Sequence, residues 1–520
     1  MKHTFLFSLL VLCVLFHVQS QDSKAEIIFA DAEESPWYSG VLDVVGQDAS
    51  GLYVLRNTGR PWSRKEATTY QYELSYYDHS LKLVKSMGLD LKTEDKHRAL
   101  EYVFQSKGKL YILSSFKNRK LKKKFLFVES VDKKAMKLNN DLKKVGEIDY
   151  SAKDRMNPGE YLIKISRDSS KLMIYVDAPY QGQKEERFEV YVLDSELNTL
   201  WSKQIKLPYS DKSFVIQKFD VDDNGNAHIL GKRYKDGFRE EVKDVVNFQY
   251  HLLSYVSKGK LVKDYPIKLG NILPVCMEFD FRQDQGVTCT GFYAEKGASK
   301  GAKISIKGTY FVSIDYTTKK VTKINTEPLG FDFEVVNLAR GKGPFSQTSS
   351  LTVDDLVIRR DGGVVLIGEE NYSTAVTRGD NRTTYFYKVN DLLVVSLSPT
   401  GEMEWTTRVP KRQNTTNDGG VKCSYGLAIV EDKIHLIYND NAKNYLPDQT
   451  EVYSYNLLNS HVVTLATIDS KGGLSKQKLF TSGEAGVTMW PSSSKQIRGK
   501  EFILFGRDRK EHRMAKIVFP

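Results

Sequence analysis

Cysteine is scarce in this chain of 520 residues: four occur, with no Cys-x-x-Cys spacing. That excludes a disulfide framework or a zinc ribbon as the source of its stability. Proline (14) and glycine (36) are too few for a collagenous or proline-rich chain. One long apolar run occurs, at the N-terminus, and no later stretch is apolar enough to cross a membrane as a helix. HExxH, a P-loop, GxGxxG and a sialidase-type Ser-x-Asp-x-Gly-x-Thr-Trp box are all missing, and the nine histidines are scattered away from metal-ligand spacing. What remains is an ordinary globular composition, 40% hydrophobic and 27% charged, which excludes bulk disorder.

The opening MKHTFLFSLLVLCVLFHVQSQ has the parts of a secretory signal. Lys2 is a short positive region, residues 4–18 are the apolar stretch, and Val18-Gln19-Ser20 offers a small-x-small cleavage site. Residues 1–20 are read as a signal peptide, with a mature N-terminus at Gln21. The mature protein is then expected to be secreted, periplasmic or on the cell surface. Cys13 leaves with the signal, so Cys276, Cys289 and Cys423 remain. Cys276 and Cys289 are expected on paired strands, where an oxidising compartment would let them bridge; the residues favour buried free thiols that behave as small hydrophobes.

One pattern recurs through the rest of the chain: a turn residue followed by four to six apolar or aromatic residues, often closed by glycine. The instances are residues 51–56, 109–114, 171–176, 226–231, 286–291, 363–368, 433–438 and 501–506. They start 55 to 77 residues apart. Each is short, rich in β-formers and bounded by turn residues, so each reads as a strand. Upstream lies another strand ending in a tight hairpin, as at Asp223-Asn224-Gly225 and Asp361-Gly362, where Asn-Gly and Asp-Gly supply positive φ. Downstream come a loop of variable length, a longer strand, a second turn and a fourth strand.

Four antiparallel strands repeated about eight times, with no helical period, predict an all-β fold: a single β-propeller over residues 21–520. A lone four-stranded blade cannot bury both faces, whereas blades stacked around an axis cover each other. The C-terminal unit supplies three strands, at residues 486–490, 501–506 and 514–519, and residues 26–30 are an orphan strand. The N-terminal strand is therefore expected to close the ring by pairing beside residues 514–519.

Two units carry tryptophan at matching places, LDSELNTLW ending at Trp201 and LSPTGEMEW ending at Trp405. This strand–turn–strand resembles the tryptophan-docking repeats of quinoprotein-type eight-bladed propellers, a resemblance that concerns fold and implies no quinone. The Lys/Asn/Tyr-rich chain and the turn Asp222-Asp223-Asn224-Gly225-Asn226 also resemble uncharacterised secreted propeller-like proteins of Bacteroidota, which bring no known activity.

Asp220, Asp222 and Asn224 match the opening of a calcium loop, with oxygen ligands at alternate positions before Gly225. Calcium is the one cofactor this suggests. Position nine is His228 and position twelve Gly231, where an EF-hand places a bidentate Glu, so the residues favour a hairpin turn. Gly297-Ala-Ser299-Lys-Gly301 fits Gly-x-Ser-x-Gly but lies in a Lys/Gly-rich loop rather than on a strand-to-helix elbow. Lys117, Arg119, Lys120, Lys122, Lys123 and Lys124 form the densest basic run, on an expected hairpin loop that can meet an anionic surface. No nucleic-acid-binding motif accompanies it, and nucleic acid is not an expected partner. Tyr70, Tyr72 and Tyr76 share one strand face with Leu74, and are expected to fill the space between blades.

Three functions fit these residues. The first is a secreted or envelope-associated binding or scaffold module, taking protein or glycan at a propeller face. The second is a glycan-active hydrolase or lyase with a carboxylate site in the central channel. The third is an envelope assembly factor, supported by the two tryptophan units. Carboxylates and aromatics converging in the channel would favour the enzyme; an apolar or basic rim would favour binding.

Overall fold

The computed structural model describes residues 25–34, 40–58, 72–93, 96–150, 159–177, 185–210, 213–282, 286–298, 302–315, 318, 320–338, 350–379, 382–447, 450–456, 460–509 and 511–520. Its sheets are antiparallel and follow one another along the chain as eight blades, within residues 40–88, 99–149, 160–210, 214–267, 273–336, 351–416, 426–481, and 489–518 together with 26–29. In each blade the first strand is innermost and the fourth outermost.

The eight recurring segments are the second strands: Gly51–Asn57, Lys109–Asn118, Lys171–Asp177, Ala227–Tyr234, Gly286–Ala294, Val364–Thr377, Lys433–Asn441 and Glu501–Asp508. Their continuous apolar runs have a cause. A second strand is covered on both faces by neighbouring blades, so Leu52 to Leu55 are all buried and so are Leu172 to Val176. Alternation would leave polar groups inside.

The N-terminal strand Glu26–Phe29 pairs antiparallel with Glu511–Val518, setting Ile27 opposite Ile517 and Phe29 opposite Ala515. It is the outer strand of the eighth blade, so the two ends of the chain make one sheet, as the orphan strand implied. The seam to the first blade is apolar in its core, where Val44, Val54 and Tyr77 meet Ile503, Phe505 and Met514. It is polar at one edge. Glu33 there accepts from Tyr77 Oη at 3.0 Å and from Arg56 Nη1 at 3.0 Å, with His512 Nε2 at 3.2 Å.

Two expectations are corrected. The inner strand of the eighth blade is Met489–Arg498 and does not reach back to residue 486. Residues Ser482–Ala485 form one helical turn instead, with a Thr481–Glu484 capping box and Gly486 at φ 73° ending it. Cys276 lies between the strands Leu273–Pro274 and Glu278–Phe281 rather than on either, because proline ends the first. Cys276, Cys289 and Cys423 are free thiols. Tyr72 and Tyr76 pack against the apolar cluster between the first two blades, and Tyr70 lies outside the described residues.

Strand order also fixes two unlike faces. The hairpins joining first to second and third to fourth strands lie on one face, the turn face. Connections from second to third strands and from blade to blade lie on the other, the loop face. Turn-face apolar residues are tucked in: Leu81, Met136 and Leu197 are buried even though each has positive φ in its turn.

Candidate functional site

The inner strands carry the charges that line the channel. In Glu278–Phe281, sequence Glu-Phe-Asp-Phe, two-residue alternation turns Glu278 and Asp280 one way and buries Phe279 on the other. In Phe214–Val221, Lys218 and Asp220 share a face by the same rule while Val221 is buried. Leu351–Ile358 breaks the rule, because a β-bulge between Val353 and Asp355 inserts Asp354 as an extra residue. Two consecutive carboxylates then serve the same region.

Cross-blade pairs hold these groups in place. Lys218 Nζ donates to the Glu278 carboxylate and, at 3.2 Å, to Phe279 O. Arg167, on the hairpin of the third blade, reaches Asp280 of the fifth at 2.6 Å. Tyr425 Oη, leading into the seventh blade, donates to Asp355 Oδ2 at 2.6 Å. Asp43 of the first blade faces Lys495 of the eighth at 3.8 Å. Lys164 adds a fourth cation that stabilises the charged forms of Asp220 and Glu278.

Burial raises the pKa of Asp43, Asp220, Glu278, Asp280 and Asp355 above the ordinary carboxylate range, against the opposing pull of nearby cations in every case and, for Asp355, of the hydrogen bond from Tyr425 as well. Asp354 is pushed furthest, up to about 7, first by burial and then by the negative charge of Glu369. Its side chain is exposed at the channel surface, where the walls replace part of the bulk solvent that would stabilise a charge. Among the described residues its one side-chain hydrogen bond is from Thr352 Oγ1, at 2.7 Å.

Behind Asp354 the wall is itself polar. Lys411 and Glu369 are fully buried and form an ion pair at 2.8 Å. Lys411 Nζ also donates to Gln413 Oε1 at 3.0 Å, and Ser424 Oγ donates to Glu369 Oε2 at 2.6 Å. The pairing and the added hydrogen bonds compensate the burial of both side chains.

The groups singled out in the sequence are dispersed. Asp222 makes the hairpin turn: Oδ1 accepts from Asn224 N at 3.0 Å and Asn226 N at 2.8 Å, and Oδ2 accepts from Asn226 Nδ2 at 2.8 Å. Asp220 faces the channel cluster, and its Oδ1 accepts from Val221 N at 2.8 Å. Asn224 uses its backbone N–H in the same turn. Among the described residues no group of three or more His, Cys, Asp or Glu side chains is placed to hold a metal. Ser299 lies outside the described residues.

The basic run does form a hairpin, between Lys109–Asn118 and Lys123–Asp132 on the loop face. Lys123 pairs with Glu147 at 2.5 Å and Asp149 at 3.1 Å, Lys124 pairs with Glu101 at 3.2 Å, and Lys117 sits over the Tyr150 ring. Arg119, Lys120 and Lys122 make no ion pair among the described residues. The channel set of Asp43, Lys164, Arg167, Lys218, Glu278, Asp280, Asp354 and Asp355 was missed. Its signal was present: charges inside the strand just upstream of each apolar repeat must face a channel if the repeat is a second strand.

No family model matches this chain, and no curated protein matches it. Among solved structures, the WD40 domain of SCAP from fission yeast is 8% identical, covering 96% of this chain and 98% of that one at a TM-score of 0.38. The β-propeller domain of the Trilobed protease from Pyrococcus furiosus is 10% identical over 85% and 97%, at 0.35. A protein of unknown function from Bacteroides caccae is 12% identical over 69% and 94%, at 0.26. These likenesses carry nothing about chemistry.

Proposed function

We propose that this eight-bladed propeller is an exported binding module that takes a hydroxyl-rich ligand, a glycan, into its channel. The observation that carries the reading is the arc of Lys218, Glu278, Asp280, Asp354 and Asp355 from three successive blades. Six channel carboxylates stand against four cations, and Asp354, pushed up to about 7, carries only part of a negative charge near neutrality. Such a wall is poorly suited to a polyanion or an apolar ligand. It suits neutral hydroxyls, which donate to the spare carboxylate lone pairs and accept from lysine and arginine.

The test is titration calorimetry of the mature chain against a panel of neutral and acidic oligosaccharides. Binding of a neutral member, weakened at least tenfold by Lys218→Met or Glu278→Gln (about 1.4 kcal/mol), is the expected result. Failure of every neutral member to bind, or binding that ignores both substitutions, would overturn the reading.

A second reading, glycan cleavage, is favoured by the convergence of carboxylates in the channel and above all by Asp354. A carboxyl that titrates near neutrality can give or take a proton at the glycosidic oxygen. On this reading Asp354→Asn keeps ligand binding and abolishes release of new reducing ends.

A further inference from the structure

The loop face carries a feature that the channel does not use. Leu121 stands at the tip of the basic hairpin of the second blade and is 60% exposed. Val245, in the corresponding connection of the fourth blade, is 54% exposed, and Leu446, in that of the seventh, 57%. Val376 and Tyr385 flank the same connection in the sixth blade, at 50% and 49%. All of these join second to third strands, so strand order alone sends them to one face. The turn face does the opposite and buries Leu81, Met136 and Leu197 in its own tight turns. Loop position therefore does not explain the exposure.

Cations accompany the apolar tips. Arg119, Lys120 and Lys122 bracket Leu121 with no ion pair among the described residues, while Lys123 and Lys124 behind them are held by Glu147, Asp149 and Glu101. The neutralised lysines lie at the base of the hairpin and the uncompensated charges at its tip. Arg378 follows Val376 and Lys443 precedes Leu446, whereas Asp244 stands between Lys243 and Val245, so the full cationic collar is that of Leu121. An apolar side chain projecting through a collar of uncompensated cations matches the interface of an anionic bilayer, with headgroups outside and acyl chains beneath. A soluble anionic polysaccharide would use the cations and leave the apolar tips without a role.

We infer that the loop face docks on an anionic lipid surface, with Leu121 entering the acyl boundary and Arg119, Lys120 and Lys122 meeting the headgroups. The test is co-sedimentation of the mature chain with phosphatidylcholine vesicles that contain or lack 30% phosphatidylglycerol. Binding to the anionic vesicles, falling as salt is raised, is expected. Leu121→Ser should weaken it about tenfold, and replacing Arg119, Lys120 and Lys122 by Gln should weaken it on the order of 100-fold. Leu83→Ser, on the outer circumference, is the control and should bind like the parent. A chain that ignores anionic vesicles, or that binds them equally well with Ser at position 121, overturns the inference. So does binding to a sulfated polysaccharide without binding to vesicles. Unchanged melting temperatures of the variants separate lost docking from lost folding.

Discussion

Asp354 owes its properties to a bulge, the walls around it and the charge of Glu369. Burial raises its pKa to about 7 and the Glu369 charge assists. An acid whose folded pKa lies above its unfolded value keeps its proton on folding. The folded state is then penalised progressively as pH rises from about 4 to 7. Asp354→Asn removes that penalty, so it should raise the melting temperature at pH 8 and leave it unchanged at pH 4. Because the side chain is exposed, solvent screening reduces the penalty, and a gain of about 1 kcal/mol is expected. A scan across pH would check it; equal effects at both ends would refute the assignment. Lys411 is the opposite case, fully buried against Glu369. Lys411→Ala leaves a buried carboxylate alone and should cost about 3–5 kcal/mol by urea denaturation.

Neighbouring blades are tied at the level of turns. Trp201, on the outer strand of the third blade, donates from Nε1 to Gly225 O of the fourth at 2.8 Å. Its ring lies against Gly259, where a Cβ would come within 2.7 Å of the indole and φ is 72°. Trp405 of the sixth blade repeats this against the seventh on the same face, with Nε1 donating to Ser470 O at 3.0 Å and its ring against Gly472 at φ 83°. The resemblance to tryptophan-docking repeats thus has a physical content: a flat ring, a backbone acceptor and a glycine that lets them approach. Gly259→Ala and Gly472→Ala meet both a strained backbone and a blocked contact, and each should cost about 1–3 kcal/mol. The readout is a shift in tryptophan emission together with a lower denaturation midpoint.

Closure belongs to the whole molecule. Outer strand Glu26–Phe29 completes the last blade, and Phe29 packs edge-on against Phe480 of the seventh at 5.0 Å. Removing residues 21–31 exposes the edge of Glu511–Val518 and uncovers Ile517 and Ala515. The loss should amount to several kcal/mol, comparable with the whole stability of many domains; a melting temperature within a degree or two of the parent would defeat the argument. Glu33 adds a pH dependence to the seam. Burial alone would raise its pKa, but the hydrogen bond with His512 and the charge of Arg56 hold it down at about 2. A depressed carboxyl contributes stability above its unfolded value, lost as pH falls from about 4.5 to 2. Glu33→Gln should therefore weaken the protein at pH 7 by up to about 3 kcal/mol and have little effect near pH 2, measurable as a convergence of the two pH–stability curves.

Local chemistry was enough for the architecture. The second strands must be apolar on both faces, the hairpins need residues that accept positive φ, and Ile27, Ile28 and Phe29 had no partner but the last unit; each of these is written into a few consecutive residues. The channel is different in kind. Glu278 and Lys218 are 60 residues apart and Arg167 and Asp280 are 113 apart, and no local rule links them until the ring brings the inner strands together. The bulge at Asp354 is equally hidden, because a one-residue register shift leaves no mark in composition. So is the buried Lys411, which reads in sequence as one basic residue among 76. Strand propensity and turn preference act over a few residues, whereas desolvation and Coulomb interaction depend on distance in space, which only the closed ring decides.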